Sequence, residues 1–323
     1  MKTILVTGGA GYIGSHTVKR LSALGYAPVV ADNLVYGHKE ALPQNTPLEI
    51  VDLADRGGLK ALFAKYKFDA VIHFAAYAYV GESVANPAKY YRNNVIGTLN
   101  LLDAMLEAGV KKIVFSSTCA TYGEPQYTPI DEAHPQNPIN AYGAGKLMIE
   151  RVFADYKRAY DLRYIALRYF NAAGATADAT IGESHNPETH LIPLVLRAAQ
   201  SDKPVQIFGD DYDTADGTCV RDYIHVDDLA DAHILALKVI DRYNGALNLG
   251  MGVGVSVREI INAAQAVVGK KVLFEIAKRR AGDPAKLVAA NAKAIDILGW
   301  NPRYSDIETI IASAWNWEKS RRF

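Results

Sequence analysis

Residues 3–14 read Thr3-Ile4-Leu5-Val6-Thr7-Gly8-Gly9-Ala10-Gly11-Tyr12-Ile13-Gly14, and this run decides the fold class. Its first five residues are aliphatic or β-branched and form a continuous apolar run, as a strand buried on both faces requires. Three glycines at three-residue intervals follow, and a pattern of helical period continues from His16 to Leu24. In such a strand-turn-helix unit Gly8 permits the tight turn, Gly11 lets backbone approach a pyrophosphate, and Gly14 allows the helix to pack closely on the strand. The anion then sits at the helix N-terminus, where unbonded N–H groups and the helix dipole favour negative charge. A glycine string alone also marks ordinary turns; the strand before it and the helix after it make the reading specific.

Working outward, further apolar runs occur at Pro28–Ala31, Leu48–Val51, Ala70–Phe74, Lys112–Phe115 and Tyr164–Leu167. Helical patterns separate them at Leu59–Tyr66, Tyr90–Glu107 and Ala144–Ala159. Strands alternating with helices imply right-handed crossovers and a parallel sheet, a Rossmann-type doubly wound α/β fold. The second run ends at Asp32, about 20 residues beyond the glycines, where a carboxylate can accept from a ribose diol and would repel a 2′-phosphate. That favours NAD over NADP. Asp52, followed by Leu53 at the end of the third strand, is placed to reach the adenine.

After Asn171 the rhythm breaks, with irregular stretches at Ala172–Thr189 and Gly209–Gly217 of the kind that form functional loops. Helical patterns resume at Val226–Asp241, Val257–Val268, Lys293–Leu298 and Ile307–Trp317. We therefore expect a NAD-binding domain over 1–170, a return of the chain to it around 220–245, and a smaller mixed α/β substrate-binding domain over 171–323.

The 323 residues carry 35 Lys+Arg against 35 Asp+Glu, and this balance argues against a nucleic-acid partner bound through its phosphates. No apolar run reaches the roughly 18 residues of a membrane span, and the first residues do not read as a secretory leader. Cys119 and Cys219 form neither a Cys-x-x-Cys pair nor a zinc-spaced cluster, so reduced thiols and a cytoplasmic location are expected. Asp210, Asp211, Asp213 and Asp216 do not follow the calcium-loop order. His185 and His190 show no third ligand in the linear pattern, so no metal is expected.

Tyr142 and Lys146 form Tyr-x-x-x-Lys near the start of a helix, a spacing that puts both side chains on one face. An ammonium beside a phenol favours the phenolate, as does an oxidised nicotinamide, so a lowered Tyr142 pKa is expected. Upstream, the strand Lys112–Phe115 runs into Ser116-Ser117-Thr118, hydroxyls at the end of a parallel strand where such sheets bind ligands. Thr118 is placed to hydrogen-bond the substrate oxygen whose proton Tyr142 removes.

Together with Asp32-Asn33, Asn93-Asn94-Val95, Arg168-Tyr169-Phe170-Asn171 and Arg221-Asp222-Tyr223-Ile224-His225-Val226, these motifs resemble the extended short-chain dehydrogenase/reductase superfamily. Within it the chain is most similar, nearly end to end, to the UDP-glucose 4-epimerase family. The resemblance implies a tightly held NAD at Tyr12, Ile13, Asp32, Asn33, Asp52, Leu53, Phe74, Ala75, Asn93, Thr118, Tyr142, Lys146 and Phe170. It implies that Tyr142 takes the sugar O4 proton while C4 gives hydride to the nicotinamide, and that the 4-keto sugar turns over and takes the hydride back. Arg221 and Arg280 are the candidates for the diphosphate of a UDP-sugar, since guanidinium groups grip phosphate bidentately and keep their charge. Asp283 matches the acid on the uridine ribose, and Asn171, Leu191, Phe208 and Tyr223 match other lining positions. A homodimer through a helical face of the first domain is the family expectation.

Two departures bear on the substrate. His190 stands where some members carry an asparagine that contacts the sugar or diphosphate. Leu287 stands where some carry a bulky tyrosine beside the sugar C2, which leaves room for an N-acetyl group and makes UDP-N-acetylglucosamine a candidate additional substrate. Rival readings are a UDP-xylose or UDP-uronate 4-epimerase, a nucleotide-sugar 4,6-dehydratase, and a non-catalytic NAD-binding sensor. The dehydratase needs Asp-Glu after the threonine, where this chain has Cys119-Ala120. The sensor needs no Tyr142/Lys146 pair.

Overall fold

The structure is a computed structural model and describes residues 1–201, 203–280 and 282–323. β1 (Thr3–Thr7) runs through the glycine turn into α1 (Tyr12–Ala23), and β2 (Ala27–Asp32), β3 (Leu48–Ile50), α2 (Arg56–Lys65) and β4 (Ala70–His73) follow. α3 (Val80–Ala85) and α4 (Pro87–Tyr90) lead through a π-helical turn, Tyr91–Ile96, into α5 (Gly97–Glu107). β5 (Lys112–Thr118), α6 (Ala141–Tyr160), β6 (Arg163–Tyr169) and β7 (Asn171–Ala173) come next. α7 (Leu191–Ser201), β8 (Val205–Phe208), β9 (Val220–His225), α8 (Val226–Val239) and β10 (Gly245–Leu249) continue the chain. β11 (Gly254–Ser256), α9 (Val257–Val268), β12 (Phe274–Ala277), β13 (Lys286–Leu287), α10 (Ala292–Leu298) and α11 (Ile307–Ser320) complete it.

Among the described residues the main sheet has seven strands in the order β10-β6-β5-β4-β1-β2-β3, all paired in parallel. Alternate residues of its strands feed two cores. Ile4, Val6, Val30, Ile72 and Val114 pack with Val18 and Leu21 of α1 and Leu229 of α8. Leu5, Val29, Val71 and Ile113 pack on the opposite face with Leu59, Leu101 and Phe153 of α2, α5 and α6. Each such side chain contributes about 1.5–3 kcal/mol when fully buried, which is why these strands read as unbroken apolar runs.

The helix expected over Tyr90–Glu107 is interrupted, because residues 91–96 form the π turn. Asn94 lies in that turn with 2% exposure, and its amide accepts from Tyr77 N at 2.9 Å and donates to Tyr77 O at 3.0 Å. Hydrophobic periodicity does not register this, because the flanking apolar residues keep a helical spacing; single π turns in helices often occur at functional sites.

The later half returns to the sheet twice. α8 packs on α1, and β10 pairs with the outer edge of β6. Asp228 of α8 accepts from Arg303 N (2.8 Å), Tyr304 N (2.7 Å) and Ser305 Oγ (2.7 Å), and its carbonyl accepts from Trp300 Nε1 (2.9 Å), tying the link between α10 and α11 to the sheet. A small sheet of β11-β9-β13, with β7 on β9, and the parallel pair β12-β8 lie beyond. A third core gathers Ile192, Val195 and Leu196 of α7 with Ile260 and Ile261 of α9 and Ile310 of α11.

Candidate active site

The ends of β1, β2, β4, β5 and β6 open on one side, and most of the expected residues lie there. Gly8 has φ +70°, and a Cβ on it would stand 2.5 Å from Ala75 N. A Cβ on Gly14 would stand 2.2 Å from the Gly8 carbonyl oxygen and 2.8 Å from Gly9 Cα. α1 has Gly11 as its N-cap residue, without a side-chain cap and without an acid in its first turn. Its leading N–H groups therefore have no side-chain acceptor, which suits a diphosphate. Gly14→Ala is expected to push α1 off β1 at a cost of roughly 1–3 kcal/mol, as overpacking does. The loss should appear as lower nucleotide content of the purified protein and a lower Tm, and unchanged values would remove Gly14 from the turn's function.

Asp32 is buried and accepts from Ala10 N at 3.0 Å and Leu34 N at 2.8 Å. Burial raises its pKa, and the two backbone N–H groups partly offset the shift. Asn33 Nδ2 donates to Asp52 Oδ2 at 2.8 Å, joining the ends of β2 and β3. Leu53 is buried where Gly97 begins α5, and Asn93 Nδ2 donates to Asn94 Oδ1 at 2.8 Å. Phe74, just beyond β4, packs on His233 of α8 with ring centroids 4.6 Å apart.

Tyr142 and Lys146 occupy the first turns of α6, which is capped by Asn140 accepting from Gly143 N at 2.8 Å. Both are buried, and Thr118 at the end of β5, whose hydroxyl oxygen accepts from Ala120 N at 3.1 Å, favours the ionised form of the Tyr142 phenol. The electrostatics differ from expectation. Burial drives the Tyr142 pKa well above its ordinary value, and burial also pushes Lys146 down to about 7, partly countered by Glu150. Lys146 Nζ donates to the Ser116 carbonyl at 2.7 Å and lies 5.8 Å from the Tyr142 ring centroid. Desolvation is the largest influence on each group, and sequence spacing alone cannot register it. Cys119 is no acid or base at neutral pH, since burial pushes its thiol up to about 12.

A buried polar network behind these residues has no linear signature. Glu150, one turn after Lys146, pairs with Arg168 of β6 at 2.5 Å and accepts from Ser117 Oγ at 2.5 Å. Arg168 Nη1 donates to Tyr122 Oη at 2.9 Å, and Tyr122 Oη donates to Asn248 Oδ1 at 2.7 Å. The network braces α6 against β5, β6 and β10.

On the nucleotide side, Arg221 of β9 pairs with Asp283 at 3.4 Å and donates to the Pro284 carbonyl at 2.8 Å. Arg280 stacks over the Phe208 ring at 3.8 Å. Asn171 faces Tyr223 across β7 and β9 and donates to the Asp222 carbonyl at 2.9 Å. Leu287 pairs in register with Arg221 and packs in a cluster with Cys119, Tyr122, Ile130, Phe170 and Ala289. The candidate phosphate, ribose and sugar residues thus share one small sheet and the loops beside it.

Leu191 opens α7 and packs on the third core. His190 lies just before it, and its Nδ1 contacts the Glu183 carboxylate. The expectation that His185 and His190 lack further ligands is overturned, because Glu183 and Glu188 join them in a group of four potential donors. In the linear sequence the carboxylates of Glu183 and Glu188 follow no zinc-site spacing. The Asp210–Asp216 loop forms no such group: Asp211 pairs with Arg279 at 2.6 Å, and Asp216 accepts from Ser256 Oγ at 2.5 Å and Thr218 Oγ1 at 2.7 Å. Among the described residues no helix is long and apolar enough to cross a membrane.

The pattern of the NAD dependent epimerase/dehydratase family matches residues 4–250. The UDP-glucose 4-epimerase of Lacticaseibacillus casei is 52% identical over 321 residues, 98% of this chain and 97% of that protein. The structure of the UDP-glucose 4-epimerase from Brucella ovis in complex with NAD superposes with a TM-score of 0.94 at 52% identity, covering 98% of each chain. That of the UDP-Glc/GlcNAc 4-epimerase from Campylobacter jejuni does so with a TM-score of 0.87 at 45% identity, covering 99% of this chain and 100% of the other.

Proposed function

Because the chain belongs to the NAD-dependent epimerase/dehydratase family, we propose that the site just described interconverts UDP-glucose and UDP-galactose by inverting the sugar C4. The observation that carries this reading is the convergence of Thr118, Tyr142 and Lys146 at the strand ends beside the uncapped start of α1. The cradle fits NAD: Gly8 to Gly14 and Tyr12-Ile13 at the diphosphate, Asp32 and Asn33 at the ribose, Asp52 and Leu53 at the adenine, Phe74, Ala75, Asn93 and Phe170 along its length. Bound there, NAD supplies the acceptor that takes hydrogen from C4 and returns it, so no net oxidation occurs.

The chain's own residues handle the proton and the grip. Tyr142 Oη holds the O4 proton while the carbonyl exists and returns it afterwards. Thr118 donates to or accepts from the same oxygen and fixes its position. Lys146, held by the Ser116 carbonyl, supplies positive charge near the phenol when protonated. Arg221 and Arg280 grip the diphosphate and Asp283 takes the uridine ribose, so the hexose is free to rotate about its link to phosphate. A dehydratase outcome lacks its acid and base at Cys119 and Ala120, and a thiol raised to about 12 does not replace them.

Incubation with UDP-galactose and no added cofactor, followed by chromatography of the C4 epimers, tests the activity; failure with UDP-glucose, UDP-galactose, their N-acetyl forms and UDP-xylose alike overturns it. Leu287 supports a wider range, since it packs in an apolar cluster with Cys119 and Phe170 and is less bulky than a tyrosine at that position. UDP-N-acetylglucosamine is therefore expected to turn over, and Leu287→Tyr to lower that activity by roughly tenfold or more while sparing UDP-glucose. No turnover of the N-acetyl sugar by the unaltered protein removes the proposal. A homodimer is supported by the exposed apolar side chains of Val84, Ile96 and Met148 on α3, the π turn and α6. Two free thiols suit a reducing cytoplasm.

A further inference from the structure

Glu183, His185, Glu188 and His190 each present one donor atom, and the four atoms lie within 4.8 Å of one another. They come from a single short stretch, Glu183-Ser184-His185-Asn186-Pro187-Glu188-Thr189-His190, beside Tyr12, whose ring centroid is 6.3 Å from that of His185. Glu183 is buried, and its Oε1 faces both imidazoles: His185 Nδ1 stands 3.0 Å away and His190 Nδ1 is in direct contact. Glu188 Oε1 accepts from Thr189 N at 2.8 Å and His190 N at 3.0 Å, which fixes the carboxylate. Glu188 Oε2, in a side chain 2% exposed, has no hydrogen bond, and neither has the buried His185 Nδ1. Arg197 reaches Oε2 only at 3.6 Å and pairs also with Glu318 at 3.3 Å.

Buried polar atoms without partners require an explanation. Without a further partner, both imidazole Nδ1 atoms compete for the single oxygen Oε1 of Glu183. A divalent cation lying among the four donor atoms, which are all within 4.8 Å of one another, would be bound by both imidazoles and both carboxylates at once. Two imidazoles exclude magnesium and calcium, which take oxygen donors, whereas two nitrogens and two carboxylates suit zinc. Zinc bonds of about 2.0–2.2 Å need only small side-chain rotations to draw together atoms already this close.

We propose that Glu183, His185, Glu188 and His190 form a four-coordinate zinc site that fixes the loop 183–190 at the start of α7. All four positions are filled by protein, so the ion is structural and has no open position for chemistry. Its binding displaces any proton held on the two Nδ1 atoms as two Nδ1–Zn bonds form, each ring keeping its proton at Nε2. The site rests on the loop geometry and not on the epimerase reading, although it assigns to the metal His190, which the sequence sets at a substrate-contacting position.

The test strips the purified holoenzyme with a chelator, restores it with zinc, and measures metal content by mass spectrometry. Cobalt(II) in place of zinc reports geometry through its visible absorption. One zinc per chain, intense tetrahedral cobalt bands and binding weakened by roughly tenfold to a hundredfold or more in His185→Gln are expected, since even loss of an outer partner costs that much. Should that variant misfold, zinc-dependent protection of His185 and His190 from diethyl pyrocarbonate in the unaltered protein decides. Substoichiometric zinc, weak octahedral cobalt bands, histidines modified equally with and without zinc, or a folded variant that keeps its zinc overturns the site.

Discussion

Tyr142→Phe is expected to lower epimerisation by roughly 10²–10⁴-fold, the contribution of a positioned acid-base group, with NAD content unchanged. The phenylalanine keeps the ring that packs at the start of α6 and removes only the oxygen that holds the O4 proton. The size of the effect follows from the electrostatics. With burial raising the phenol and lowering Lys146 to about 7, the protein alone holds a neutral tyrosine, so the phenolate depends on positive charge assembled next to it. Without the hydroxyl no other group takes its place, because Thr118 is no base and the Cys119 thiol is raised by burial to about 12. The check is the rate with UDP-galactose alongside the absorbance of bound nucleotide. An active variant removes Tyr142 from the chemistry, and loss of nucleotide would instead make its role structural.

The second large effect is on stability. Glu150→Gln leaves the Arg168 guanidinium, whose side chain is 7% exposed, buried without its anion. Breaking such a pair from one side costs about 3–5 kcal/mol. The glutamine still reaches Ser117 and Arg168 but offers no charge. Replacing both partners, as in Glu150→Met with Arg168→Met, is expected to recover much of the loss, because an apolar pair of similar volume leaves no orphaned charge. Urea unfolding of the single and double variants decides; equal stability in all three would make the pair irrelevant to the fold.

How much of this was legible in the sequence depends on the range over which each signal acts. Thr3 to Gly14, Asp32 and Tyr142/Lys146 declare themselves because strand, turn and helical spacing are local, and their geometry follows from consecutive residues. Arg168 was visible as part of a motif but its partner was not. Glu150 lies on the preceding helix, and only the packing of α6 on β6 brings the two together. The π turn at Tyr91–Ile96 hides inside an unbroken helical periodicity, since the periodicity records which side chains are apolar and not how wide the turn is. Glu183 and Glu188 were in plain sight beside His185 and His190, yet the loop's folding back on itself, which joins them, leaves no trace in spacing. The pKa directions of Tyr142 and Lys146 depend on solvent exclusion, a property of the whole assembled site.

The Lys146 ammonium is held by the neutral carbonyl of Ser116 and is 2% exposed, whereas Arg280 is exposed and Arg221 faces the surface loops with its side chain 14% exposed. Dissolved ions screen charges over a Debye length of about 8 Å at physiological salt, but only through solvent they can enter. Ionic strength therefore divides the site: added salt should raise KM for the UDP-sugar through the arginines and leave kcat, set beside the shielded lysine, nearly flat. The same protein would thus hold its substrate by a force the medium can adjust and transform it by one the medium cannot reach.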